Sequence, residues 1–259
     1  MGEAVLAAIL DRKLARTEEI ILSDVNEARR RHLIEKYGVL TTADNRLIAK
    51  SGDIIVLAIK PQTLEGVMAE LRGSLKETQL VVSIIAGAAI DALRRGLGHN
   101  RIVRVMPNTP ARIGEGISVW TATPEVTQKQ KEQAGEIIRV MGEEIYVNDE
   151  KYLDMATAVS GSGPAYFFFF VEALTAAAVD IGLPDAIAKR LVLQTMLGSG
   201  HLLQKSEGTA AELRKMVTSP GGTTEAAINT LEQADFKAMV KKAVEAAHRR
   251  ARELGKQDK

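Results

Sequence analysis

The chain has no cysteine and only four histidines, and its charges nearly cancel, with 34 Lys and Arg against 33 Asp and Glu. Without cysteine there is no disulfide, no thiolate metal site and no thiol nucleophile. His32, His99, His201 and His248 are scattered with no two at ligand spacing, so no metal site is expected. Balanced charge gives no electrostatic basis for a nucleic-acid or anionic-membrane partner. No basic segment followed by an apolar one opens the chain. Its least charged run, residues 155–171, is interrupted by Gly161, Gly163 and Pro164 and falls short of the roughly 20 apolar residues that span a bilayer. These absences predict a cytoplasmic protein without nucleic-acid or membrane partners.

What is present is length and pattern. At 259 residues the chain reaches the size, about 250–300 residues, at which single cores give way to two domains. The first half alternates short β-branched runs, Ile20-Ile-Leu-Ser23, Ile54-Ile-Val-Leu-Ala-Ile59, Leu80-Val-Val-Ser-Ile-Ile85 and Ile102-Val-Arg-Val-Met106, with helix-like segments at 26–36, 63–71 and 88–97. Strand, helix, strand at this spacing predicts a parallel sheet with right-handed crossovers. Further strands are expected at 117–121 and 145–147, with a helix over 125–141 between them. After Asn148 only helical patterning remains. Pro164 and Pro184 stand at helix starts, Gly182 at a helix stop, and Asp235 ahead of the last apolar stripe as its cap. The expected division is an α/β domain over 1–148 and a helical domain over 149–259.

Doubly wound sheets bind ligands at the carboxyl ends of their strands. Those ends carry Ser23-Asp24, Ala58-Ile-Lys-Pro61, Ala86-Gly-Ala88 and Met106-Pro-Asn-Thr-Pro110. Gly87 lets backbone approach a flat ligand, and Lys60 offers a point charge. One part of a nucleotide fold is missing. The chain opens with Met1-Gly2-Glu3-Ala4 already in the first helical pattern, with no strand before it, so Gly2 stands as the last glycine of a Gly-x-Gly-x-x-Gly fingerprint. An interrupted sheet is the expectation, with either weakened cofactor binding or a chain begun at an internal methionine.

Residues 217–224, Val-Thr-Ser-Pro-Gly-Gly-Thr-Thr, run straight into the helical pattern Glu225-Ala-Ala-Ile-Asn. Hydroxyls, a turn-setting proline and two glycines before a helix start bring backbone N–H groups and a positive helix end to one place, where a small carboxylate fits. An isolated stretch of this kind is more commonly just a Thr223 or Thr224 helix cap.

Four motifs together decide between those readings. Val56-Leu-Ala-Ile-Lys-Pro-Gln62, Arg104-Val-Met-Pro-Asn-Thr-Pro-Ala111, Ala158-Val-Ser-Gly-Ser-Gly-Pro-Ala-Tyr166 and Met216-Val-Thr-Ser-Pro-Gly-Gly-Thr-Thr224 closely resemble pyrroline-5-carboxylate reductase, across nearly the whole chain and in order. The resemblance implies a Rossmann-like α/β domain lacking its first strand, followed by an all-α dimerisation domain. It implies hydride transfer from NADPH, with NADH as the other candidate, to 1-pyrroline-5-carboxylate, giving L-proline in a homodimer that assembles into a decamer. Carried over by position, Gly2, Ser23, Asn45, Ala58, Ile59, Lys60, Pro61, Ile84, Ile85, Ala86, Gly87, Pro107 and Asn108 belong to the cofactor side. Glu150, Glu207, Ser219, Gly221, Gly222, Thr223 and Thr224 belong to the substrate side, with Thr224 as the residue that orients the imine nitrogen.

The cofactor choice stays open at the residue level. Asp24 suits a ribose 2′-hydroxyl, whereas Arg29 to Arg31 suit a 2′-phosphate. Two other functions share the architecture: a reductase like the β-hydroxyacid dehydrogenases, and an assembly module silenced by the shortened nucleotide motif.

Overall fold

The computed structural model describes residues 1–255. Elements follow in the order α1 (Gly2–Asp11), β1 (Ile21–Ser23), α2 (Glu27–Tyr37), β2 (Leu40–Thr42), α3 (Asn45–Ser51), β3 (Ile54–Leu57), α4 (Leu64–Leu71), β4 (Leu80–Ser83), α5 (Ile90–Leu97), β5 (Ile102–Met106), β6 (Gly116–Ala122), α6 (Gln128–Arg139) and β7 (Gly142–Tyr146). Helices complete the chain: α7 (Lys151–Ala156), a π-helical turn (Thr157–Gly161), α8 (Gly163–Asp180), α9 (Asp185–Lys205), α10 (Ala210–Met216), α11 (Thr223–Gln233) and α12 (Phe236–Leu254).

The chain divides into two compact units, Met1–Ser162 with the described residues from Ala247 onward, and Gly163–Ala246. This division falls later than the expected break at 148/149. Helix α7 belongs to the first unit because it packs on β5 and β6, and because buried Arg104 of β5 binds Glu150 and Asp154.

In the first unit β3, β4 and β5 run parallel, with Leu57 opposite Ser83 and Ser83 opposite Arg104. All four residues of β4 are buried, as a strand covered on both faces requires. Strand β6 departs from the parallel expectation and runs antiparallel to β5. Only a short 3₁₀ turn, Thr109–Ile113, joins the two, and a parallel return needs a longer crossover.

The expected interruption is visible in the ladders. Strands β1 and β2 form one parallel pair, and β3 to β7 form a separate sheet, so among the described residues one edge of β1 and one edge of β3 are unpaired. Helix α1 packs on both pieces. Its Val5, Ala8 and Ile9 join the core of Leu80, Val82, Val103 and Trp120, while Leu6 and Leu10 pack with Leu22, Leu33 and Val39. The Glu3 carboxylate fixes α1 to α2 by accepting from Lys36 Nζ at 2.9 Å, from Tyr37 Oη at 2.9 Å and from Arg29. These hydrogen bonds, led by that of Lys36 and then Arg29, hold the Glu3 pKa far below the usual carboxylate range.

In the second unit α8 packs on α9 across a turn at Gly182, whose φ of 103° stops α8. Helices α10 and α11 are tied by Arg214 to Glu232 at 3.2 Å. Only Gly163, Ala188 and Val192 of this unit are buried, while Phe167 to Phe170, Leu191, Leu193, Leu197 and Met239 lie exposed. An apolar surface this extensive marks an interaction face. A π-helical turn at Thr157–Gly161 and a bend at Ser162 lie within the run Lys151–Asp180, which by length and composition alone is long and apolar enough to cross a membrane. Asp235 does not stand in the extended conformation of a helix cap. Its φ is 54°, and it carries the bend between α11 and α12.

Candidate active site

The segment between α10 and α11 is a turn followed by an uncapped helix. Ser219 accepts the Gly222 N–H at 3.0 Å, Pro220 occupies the second position and Gly221 has a φ of 72°, the pattern of a type II turn. A Cβ at Gly222 would meet Ser219 Oγ at 2.7 Å and the Ser219 carbonyl oxygen at 3.0 Å, so glycine eases the close return of the backbone there. Gly222 is the N-cap of α11, and no side chain caps it. Thr223 and Thr224 are therefore the first two helical residues, not caps. Their hydroxyls have no hydrogen-bond partner among the described residues, and the first intrahelical bond of α11 is Ala226 N–H to Gly222.

Two backbone donors expected to receive an anion are already engaged. Gly222 N–H closes the turn, and Gly221 N–H donates to Glu225 Oε2 at 2.8 Å. The N–H groups of Thr223, Thr224 and Glu225, with the two threonine hydroxyls, are the donors left at this positive helix end. They can hold a carboxylate and one further acceptor. Ser219 contributes turn geometry through its carbonyl, and Glu207 is exposed ahead of α10 and makes no hydrogen bond or ion pair with this loop among the described residues.

On the first unit, Ala58 to Pro61, Ile84 to Gly87 and Pro107 to Asn108 follow the carboxyl ends of three adjacent parallel strands and so lie along one sheet edge. Gly2 stands at the start of α1 so close to Ala58 that a Cβ would come within 3.1 Å of the Ala58 Cβ. No side chain caps α1 either. Ser23 Oγ, at the end of β1, is the buried side-chain polar atom that lacks a partner among the described residues. An unpartnered buried hydroxyl, an uncapped helix start and a side-chain-free approach fit the phosphates and ribose of a dinucleotide. Asn45 is half-buried and donates to Glu70 at 2.7 Å.

Some expected cofactor residues have other duties. The Ile85 side chain is buried in the core with Leu57, Leu93 and Ile102 and offers a ligand only backbone. Pro107 is buried, and Asn108 Oδ1 accepts the Ile117 N–H at 3.0 Å, which joins the end of β5 to β6. Arg29 is held by Glu3 and Arg31 by Glu27, while Arg30 donates to the Asp24 carbonyl at 2.7 Å.

Glu150 precedes α7 as its N-cap residue. Its Oε1 accepts from Arg104 Nη1 at 2.5 Å and from the Ile90 N–H at 2.8 Å, and the second arm of Arg104 reaches Asp154 at 3.1 Å. Arg104 itself was legible only as part of a motif. A single cation inside a strand buried on both faces requires a carboxylate partner, and that was the available signal.

A sequence profile described as pyrroline-5-carboxylate reductase dimerisation matches residues 150–254, and one described as NADP oxidoreductase coenzyme F420-dependent matches residues 1–87. The pyrroline-5-carboxylate reductase of Synechocystis is 41% identical over 256 residues, covering 99% of this chain and 95% of its own. The solved structure of a pyrroline-5-carboxylate reductase from Coxiella burnetii superposes with a TM-score of 0.90 at 38% identity, over 98% of this chain and 94% of that one. The Plasmodium falciparum pyrroline carboxylate reductase, solved with NADP bound, superposes with a TM-score of 0.89 at 33% identity, over the same shares of the two chains. With its split parallel sheet, its helical unit and its uncapped threonine pair, the chain belongs to the pyrroline-5-carboxylate reductase family.

Proposed function

We propose that this chain reduces 1-pyrroline-5-carboxylate to L-proline with NADPH, and that the unpartnered donors at the start of α11 bind the substrate. The free N–H groups of Thr223, Thr224 and Glu225 take the carboxylate at a positive helix end. The Thr224 hydroxyl, half-buried and unengaged, orients the ring nitrogen. A threonine hydroxyl is a weak acid, so its work is placement. The imine nitrogen takes its proton from water before transfer, which leaves the adjacent carbon electrophilic without a metal. When bound, the reduced nicotinamide supplies the hydride that adds to this carbon, leaving oxidised cofactor and the saturated ring.

Ser23, Asn45, Lys60, Gly2 and the backbone of 58–61 and 84–87 hold the dinucleotide in this reading. Arg30, whose Nη1 donates to the Asp24 carbonyl at 2.7 Å, serves a 2′-phosphate with the rest of its fork. Burial of only three residues in the helical unit supports a homodimer completed by a second copy, and five such dimers form the decamer. A dimer that covers the Phe167 to Phe170 face leaves a water-soluble enzyme of the cytoplasm. The test is the absorbance of NADPH on adding 1-pyrroline-5-carboxylate, with proline measured as product. Oxidation with 3-oxo acids in place of the imine would favour the hydroxyacid-dehydrogenase reading.

A further inference from the structure

The loop that follows β4 is fixed from two directions by residues distant in sequence. Helix α5 opens on Ala89 with no side-chain cap, and the N–H of its first residue, Ile90, donates to Glu150 Oε1 at 2.8 Å across 60 positions. The same oxygen accepts from Arg104 Nη1 at 2.5 Å, and the Arg104 side chain is 5% exposed. On its other side Gly87, with a φ of 80°, faces the end of α12. A Cβ at Gly87 would stand 3.2 Å from Leu254 Cβ, and one at Gly255 would stand 3.3 Å from the Gly87 carbonyl.

We propose that Glu150 and Leu254 are positioning residues that hold loop 84–90 in the shape that receives the cofactor. Glu150 acts through the Ile90 amide and Leu254 through Gly87. Arg104 sets the Glu150 carboxylate, because a buried guanidinium fixed in a strand admits only a narrow range of carboxylate positions. This inference rests on the reading of loop 84–90 as part of the cofactor site.

The experiment uses the full chain, with NADPH affinity measured by fluorescence titration and kinetics measured with 1-pyrroline-5-carboxylate. Glu150→Ala should weaken NADPH by about tenfold, the scale of one lost hydrogen bond to a charged group, while the KM for the imine stays within about twofold. Glu150→Gln, which keeps an oxygen for the Ile90 amide, should restore most of the affinity. Glu150→Asp keeps the charge beside Arg104 but falls one methylene short of Ile90. It should weaken NADPH as alanine does, and it decides the matter if the alanine variant does not fold. Leu254→Ala should shift NADPH affinity in the same direction. Unchanged NADPH affinity in Glu150→Asp, or a rise confined to the KM of the imine, overturns the proposal, and so does a wild-type chain that does not bind NADPH. A wild-type chain that binds NADPH but does not reduce the imine sinks the proposed function alone, since the titrations still judge the loop.

Discussion

Glu225 Oε2 accepts the Gly221 N–H at 2.8 Å, so a carboxylate of the chain itself occupies a donor beside the place where a substrate carboxylate would bind. Its negative charge opposes a second anion at the same helix end. Glu225→Gln keeps the hydrogen bond and removes the charge. The KM for 1-pyrroline-5-carboxylate should fall about two- to threefold, with a stability loss of about 0.5 kcal/mol from the weakened charge–dipole interaction. Saturation kinetics and thermal melts read the two effects separately.

Thr224→Ala should lower kcat by about tenfold or more while stability changes by less than about 0.5 kcal/mol, because its hydroxyl has no partner whose loss would unbalance the fold. Thr224→Ser should recover much of the rate. Unchanged turnover in the alanine variant would remove Thr224 from the chemistry.

Gly222→Ala tests the turn. The added Cβ would stand 2.7 Å from Ser219 Oγ and 3.0 Å from the Ser219 carbonyl, so the serine side chain must turn aside and the turn must loosen slightly. Loss of kcat/KM with NADPH affinity unchanged is expected, because the turn belongs to the helical unit and the cofactor edge to the other. The strain should cost about 1–3 kcal/mol, measured by denaturant unfolding.

The strand-end loops and the helix start at α11 were legible because each is written locally. An apolar run bounded by small residues marks a strand end, and Ser-Pro-Gly-Gly marks a turn. Strand β2 was not legible because Leu40-Thr41-Thr42 carries a single strongly apolar residue, and the antiparallel course of β6 depends on how little chain separates it from β5. Asp235 looked like a cap because sequence shows residue type but not φ. The contacts of Glu150 were hidden for a different reason. Its partner Arg104 lies 46 positions away and its other contact 60, distances that only the folded sheet closes. Ile85 and Pro107 stood among ligand contacts by position, and burial in the core reassigns their side chains.

Glu3 gives the first unit a pH dependence. Its folded pKa is depressed, first by Lys36 and then by Arg29, so the stabilisation is complete above the ordinary value near 4.5 and is lost as pH falls toward the lowered one. Glu3→Gln should cost about 1–2 kcal/mol at neutral pH, where the carboxylate binds several donors of α2. The gap between variant and wild type should close as pH drops from 4.5 through the acid range. Melting curves at several pH values would show it, and a gap independent of pH would contradict the assignment to charge.

The exposed aromatic run of α8 should be an interface in solution. Phe169 is 72% exposed in the single chain, and Phe169→Asp should shift the mass seen by light scattering from oligomer toward monomer.

The most direct test is the initial rate of NADPH oxidation by the purified chain as 1-pyrroline-5-carboxylate is varied, with L-proline counted against cofactor consumed. A saturable rate, one proline per NADPH and a collapse of kcat in Thr224→Ala are predicted. Cofactor binding without imine-dependent oxidation, or equal rates in wild type and Thr224→Ala, would contradict the assignment of substrate chemistry to the start of α11.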